Sequence, residues 1–168
     1  MIEREFLDQA ADSLLTFSSR IEDCLGRLSM EQIWARGSGQ ENAAGNLVLH
    51  LCGNLGQWIL SGLDNRPDTR DRDSEFAARG GVSAEELKAR LRTRVEEAAA
   101  VIRAFPPERL GERKLIQKHY DTTVMGAIFH VVEHFSQHTG QIIFLTKLAT
   151  SSDLGYYRHL NKSAATSQ

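Results

Sequence analysis

Apolar residues recur at helical spacing in four long stretches of the chain, and that periodicity leaves few folds open. The first runs from about Glu3 to Leu28 and carries Phe6, Leu7, Leu14, Phe17, Ile21, Leu25 and Leu28. A second occupies about Ala43 to Leu63, with Leu47, Leu51, Leu55, Trp58 and Ile59 on its apolar side. Ser83-Ala-Glu-Glu86 has the form of a capping box, which opens a third helix from Ala84 to Phe105, and Pro106-Pro107 stops it. Thr122 or Thr123 can cap a fourth, reaching about Leu148. Leu115-Ile116-Gln117 is the one segment with strand character, and no partner for it is evident. Each helix must bury its apolar stripe against another, so the expected fold is all-α: an antiparallel four-helix bundle with long inter-helix loops. A chain of 168 residues suits one such domain, expected over residues 1–150, with a C-terminal tail from 151 to 168 that frays from Asn161 onward.

Two connections are long for a simple bundle. Residues 64–82 are rich in Arg, Asp and Gly, and read first as a solvated face, with a lid, a dimer contact or a short helix as the alternatives. Residues 106–121 contain the strand-like segment and can cover one end of the bundle. The net charge of -2 makes no electrostatic case for nucleic acid or an anionic membrane. No run has the length of a membrane span, and the first residues lack a signal-peptide pattern, so a cytoplasmic location is expected. Cys24 and Cys52 are too few for a disulfide framework and read as small buried apolar residues.

Half of the six histidines, His130, His134 and His138, recur every four residues on the last helix. A step of four turns a helix by about 400°, so the three side chains rise along one stripe that drifts about 40° per step. Flanking Val131, Phe135, Ile142 and Ile143 imply that this helix is largely buried. Asn46, His50 and Asn54 form a second polar stripe at the same spacing among Leu47, Leu51 and Leu55. If the two stripes face each other, His50 can join His134 and His138. Three neutral imidazoles with a position left open is the arrangement of a catalytic metal site, since structural sites close with four ligands. His130 is too far along the helix to share one ion with His138, and is expected as a packed or hydrogen-bonded neighbour. Asn46, Asn54, Glu133 and Gln141 are candidates to fix the imidazole tautomers. His119 and His159 sit beside Lys118 and Arg158 and read as solvated. Spacing alone leaves packing and ligation both open.

The segment Asn46-Leu-Val-Leu-His50-Leu-Cys-Gly-Asn-Leu-Gly-Gln-Trp58, followed far downstream by His134-Phe-Ser-Gln-His138-Thr-Gly-Gln141, resembles the DinB-like superfamily of metal-binding four-helix bundles. The likeness runs from about residue 3 to residue 148, and the charged loop with Val131-Val-Glu-His134-Phe135 resembles a subfamily of unknown function. The resemblance implies His50, His134 and His138 as ligands of a divalent metal, Zn or Ni foremost, and assigns His130 no ligand role. Many members carry Arg after the last histidine; this chain has Thr139, so an anion contact made by that Arg is not expected here.

Activity implied by the resemblance is metal-assisted transfer of a low-molecular-weight thiol to an electrophilic small molecule. Metal-dependent hydrolysis is the alternative, and a non-catalytic module that binds metal or a small molecule is a third. A small-molecule substrate and a homodimer are expected as partners, with no catalytic base assigned.

Overall fold

The computed structural model of the chain describes residues 2–160. Helix α1 (Ile2–Arg27) is followed by a short α2 (Met30–Trp34), then α3 (Ala44–Leu55), which continues into a π-helical run, Gly56–Ser61. A short α4 (Arg72–Ala77) lies in the charged connection ahead of α5 (Ala84–Ala104). Strands β1 (Arg113–Ile116) and β2 (Tyr120–Thr123) form a hairpin that leads into α6 (Val124–Thr150). The four long helices make an all-α bundle in which α1 and α3 each pack against both α5 and α6. Its core is filled by Leu14, Ile21 and Leu25 of α1, Leu51 and Leu55 of α3, Leu87, Leu91 and Val95 of α5, and Ile128, Val131 and Phe135 of α6, all with no exposed surface. Phe135 stacks on Phe17 with ring centroids 6.5 Å apart.

Local chemistry sets the helix boundaries. Ser83 accepts from the Glu86 amide while the Glu86 carboxylate takes the Ser83 N–H, the reciprocal box that the sequence announces. Thr123, not Thr122, caps α6 by accepting from the Gly126 amide at 3.0 Å. Ser29 and Gln32 make an equivalent box for α2, a helix that the periodicity did not reveal because it spans little more than one turn. Gly45 lets α2 settle close to α3, since a Cβ there would come within 2.8 Å of the Trp34 ring.

Two features depart from the sequence expectation. The helix expected to run unbroken to Leu63 widens into π geometry, with Gly62 N–H donating to Gln57 across five residues. Trp58, Ile59 and Leu60 are all buried along this run. The second is the hairpin: Ile116 pairs with Tyr120 around a turn in which Gln117 and Lys118 both have positive φ, 54° and 61°. Such a turn usually carries Asn-Gly, so its sequence signal was absent here.

Residues 151–160 return along α1. Leu154 is buried, and the Tyr156 hydroxyl donates to the Arg20 carbonyl and the Asp23 carboxylate. The fraying expected from Asn161 onward falls outside the described residues. No helix among the described residues is long and apolar enough to cross a membrane.

Replacing Phe135 with Ala should lower unfolding stability by about 3–5 kcal/mol in urea titrations, whereas Ser83→Ala, which removes one cap, should cost only about 1 kcal/mol. Equal losses would show that the Phe135 layer is not the closed core described.

Candidate metal centre

His50 projects from α3, and His134 and His138 project from α6 one helical turn apart. Their Nε2 atoms converge: His134 Nε2 lies 3.1 Å from that of His50 and 3.0 Å from that of His138. His50 is buried, and the other two are half-buried. The outer nitrogens have acceptors. His50 Nδ1 stands 3.0 Å from Glu75 Oε2, and His138 Nδ1 stands 2.6 Å from Gln141 Oε1. Both acceptors call for an Nδ1–H tautomer, which turns the Nε2 lone pairs of His50 and His138 toward His134. One ring proton on His134 cannot serve both. Nitrogens held at 2.0–2.1 Å around a tetrahedral cation stand about 3.4 Å apart, so the observed spacing needs a few tenths of an ångström of opening to admit one. The residues present therefore fit a divalent metal, and the three histidines can hold one.

Burial disfavours the charged forms of His134 and His138. The His134 imidazole is pushed down to about 3, first by burial and then by the neighbouring His138, His50 and His130. Burial also lowers His138 and His130, against the opposing hydrogen bond of Gln141 in the first and the charge of Glu133 in the second. Neutral imidazole is the form that ligates metal.

The residues expected around the triad divide by role. Gln141 orients His138. Asn54 lies on the triad side of α3, its Oδ1 buried with no hydrogen-bond partner, as is His134 Nδ1. His130 stands outside the triad, packed on Trp58 with ring centroids 4.1 Å apart and on His134 at 5.6 Å. Glu133 is exposed and meets the site only through its charge on His130. Asn46 does not touch an imidazole. Its amide instead donates to the carbonyls of Glu75 and Ala78, and its oxygen accepts from the Ala43 amide and from Arg36. Thr139 is buried, with its hydroxyl on the Phe135 carbonyl of its own helix. His119 and His159 are exposed, and burial pushes the Cys52 thiol up to about 12.

Sequence reasoning missed Glu75 and Arg70. They lie in the connection read as a solvated face, and most of residues 64–82 is exposed, but these two side chains turn inward and are nearly fully buried. Arg70 grips both carboxylate oxygens of Glu75, at 2.8 and 2.9 Å, and donates to Gln57 at 3.0 Å. Burial raises the Glu75 carboxyl, but the hydrogen bonds from His50 and Arg70 and the charge of Arg70 outweigh it and hold the group below the usual range. Five acids lie in this connection, so composition does not single one out. The available signal was Gly53, a glycine in mid-helix, because a Cβ there would overlap the Glu75 carboxylate.

A cleft of about 390 Å³ adjoins the triad. His50, His130, His134, Trp58, Arg70, Arg72, Gln117 and Tyr120 are on its walls, and no acidic side chain is. Since His134 is held neutral when folded but would protonate near its ordinary value when unfolded, acid favours the unfolded chain. Metal-free protein should therefore lose stability as pH falls from about 7 toward 4, and His134→Ala should flatten that slope in urea titrations at successive pH values.

No curated protein matches the sequence. Among solved structures, a conserved protein from Enterococcus faecalis is similar with a TM-score of 0.69 at 16% identity, covering 86% of this chain and 96% of that one. A DinB-like protein, YjoA, from Bacillus subtilis is similar with a TM-score of 0.67 at 15% identity, covering 89% of this chain and 97% of that one. At such identities the likeness establishes the fold, which is DinB-like. A family model described as a protein of unknown function, DUF1572, matches residues 1–158, and the chain belongs to that family.

Proposed function

We propose that the protein is a metal-dependent enzyme that transfers a low-molecular-weight thiol to an electrophilic small molecule. The observation that carries this reading is the convergence of three imidazole Nε2 atoms beside an open cleft. His50, His134 and His138 would hold a divalent cation; an all-imidazole donor set suits Zn, Ni, Fe and Cu alike, and the family resemblance favours Zn or Ni. Such a cation lowers the pKa of a thiol or water that it binds and so makes a nucleophile available at neutral pH.

The chain's own residues supply the rest. Trp58 and Tyr120, with ring centroids 5.5 Å apart, form an aromatic wall that excludes water from one side of the cleft. His130 is the imidazole in the cleft that lies outside the triad, and burial disfavours its charged form. Arg70 is committed to Glu75. Among the described residues Arg72 meets only the Phe76 ring, 4.9 Å away, and offers its guanidinium to an anionic substituent of the thiol. A homodimer belongs to the proposal: α6 exposes Met125, Phe129, Phe144 and Leu148, and sedimentation should give twice the chain mass of 18.8 kDa.

Untagged protein should carry close to one divalent ion per chain, and His134→Ala should lose it. Loaded protein should consume thiol against a generic electrophile such as a chlorodinitrobenzene, and chelation should abolish that. Arg72→Gln should raise KM roughly tenfold for 3-mercaptopropionate and leave 2-mercaptoethanol unchanged, as expected for loss of one charge-assisted contact. Ester turnover without thiol would replace transfer by hydrolysis. Ligand-induced stabilisation with no turnover would leave a binding module.

A further inference from the structure

The Glu75–Arg70 pair is built with more care than a surface ion pair in a charged loop requires. Both side chains are nearly inaccessible, at 8% and 4% exposed, although Thr69, Asp71 and Ser74 beside them are exposed. Gly53 clears the space that the carboxylate occupies. Asn46 ties the Glu75 carbonyl down from α3, so the backbone that delivers the carboxylate is fixed independently of the carboxylate itself. Phe76, the next residue, lies against the His50 ring with centroids 4.7 Å apart and closes its other face.

His50 Nδ1 faces two groups of opposite character. Glu75 Oε2 lies at 3.0 Å and Arg70 Nη2 also lies at 3.0 Å. A guanidinium only donates and a carboxylate only accepts, so the pair offers His50 a choice of tautomer. With Nδ1 protonated, the ring donates to Glu75 and its Nε2 lone pair points at the triad. With Nδ1 unprotonated, its lone pair would stand 3.0 Å from a carboxylate oxygen, and Nε2–H would point at the triad and block ligation. Arg70 commits Nε, Nη1 and one Nη2 N–H to Glu75 and Gln57. Its second Nη2 N–H could meet an unprotonated Nδ1, but that lone pair would then also face Glu75 Oε2, whereas Nδ1–H makes a charge-assisted bond to it. The carboxylate therefore decides the tautomer, and the guanidinium balances its charge.

We propose that Glu75 is a positioning residue for the triad: held by Arg70 and given room by Gly53, it locks His50 as the Nδ1–H tautomer and so makes its Nε2 a standing metal ligand. This rests on the metal reading of the triad, but its first consequence needs no metal. In metal-free protein, ring nitrogen-15 spectra should show His50 protonated at Nδ1, and Glu75→Ala should move the proton to Nε2. Zinc affinity, measured by competition with a chromophoric chelator, should fall 10–100-fold in Glu75→Ala. Gly53→Ala should weaken zinc binding in the same direction, because the new methyl displaces the carboxylate while touching neither ligand nor Glu75 identity. Alanine also favours the helix over glycine, which offsets part of the cost of displacing the carboxylate.

Zinc affinity within twofold of wild type in both variants, with His50 still protonated at Nδ1, would overturn the assignment. Wild-type protein that takes no zinc would overturn the metal reading, and the nitrogen spectra would still decide whether Glu75 sets the tautomer.

Discussion

A cluster of imidazoles inside an apolar bundle is costly unless its ring nitrogens find somewhere to put a proton or a lone pair. Here the outward nitrogens of His50 and His138 are taken up by Glu75 and Gln141, and the inward ones are left turned toward a single point. The surrounding structure follows from that division. Glu75 must be brought in from a connection that would otherwise be solvated, and bringing in a carboxylate requires Arg70 beside it. Burying both requires a glycine on α3 and an asparagine that anchors the incoming backbone. The charged loop is thus part of the site rather than a cover over it.

The end of the bundle nearest the cleft is shaped by two less regular elements. The π-helical run Gly56–Ser61 places Trp58 on the cleft while keeping Ile59 and Leu60 in the core. The hairpin brings Gln117, Tyr120 and Thr122 to the same opening, and Gln117 donates to Gln57, which also accepts from Arg70. A continuous set of hydrogen bonds therefore links the hairpin, the π run and the charged connection to the residue that orients His50. Widened helical turns tend to occur where a helix must serve a site and a core at once, and that is the situation of this segment.

Much of the fold was legible in the periodicity. The apolar spacing of Leu14, Ile21 and Leu25 reflects burial against neighbours that every bundle must supply, so the four helices could be placed from local pattern, and the capping box at Ser83 with them. The cap of the last helix stayed open between Thr122 and Thr123. Short elements were not legible. Helix α2 is too brief to show a period, and the hairpin turns on Gln117 and Lys118, which carry no turn signature. At the site, the four-residue spacing of His134 and His138 and the matching stripe on α3 brought forward the three converging imidazoles. Asn46, from that same stripe, proved to anchor the loop backbone, because its amide finds the Glu75 and Ala78 carbonyls before it can reach a ring.

By itself the sequence determined which faces of the helices are apolar and where imidazoles interrupt them, because side-chain periodicity is a local property of the helix. Only the tertiary structure decided which nitrogens point at one another, which acceptors the outer nitrogens of His50 and His138 meet, and that Glu75, among five acids in one loop, is the acid that reaches the triad. Those depend on contacts 25 and 84 residues apart in the chain, made by side chains whose partners no local pattern encodes.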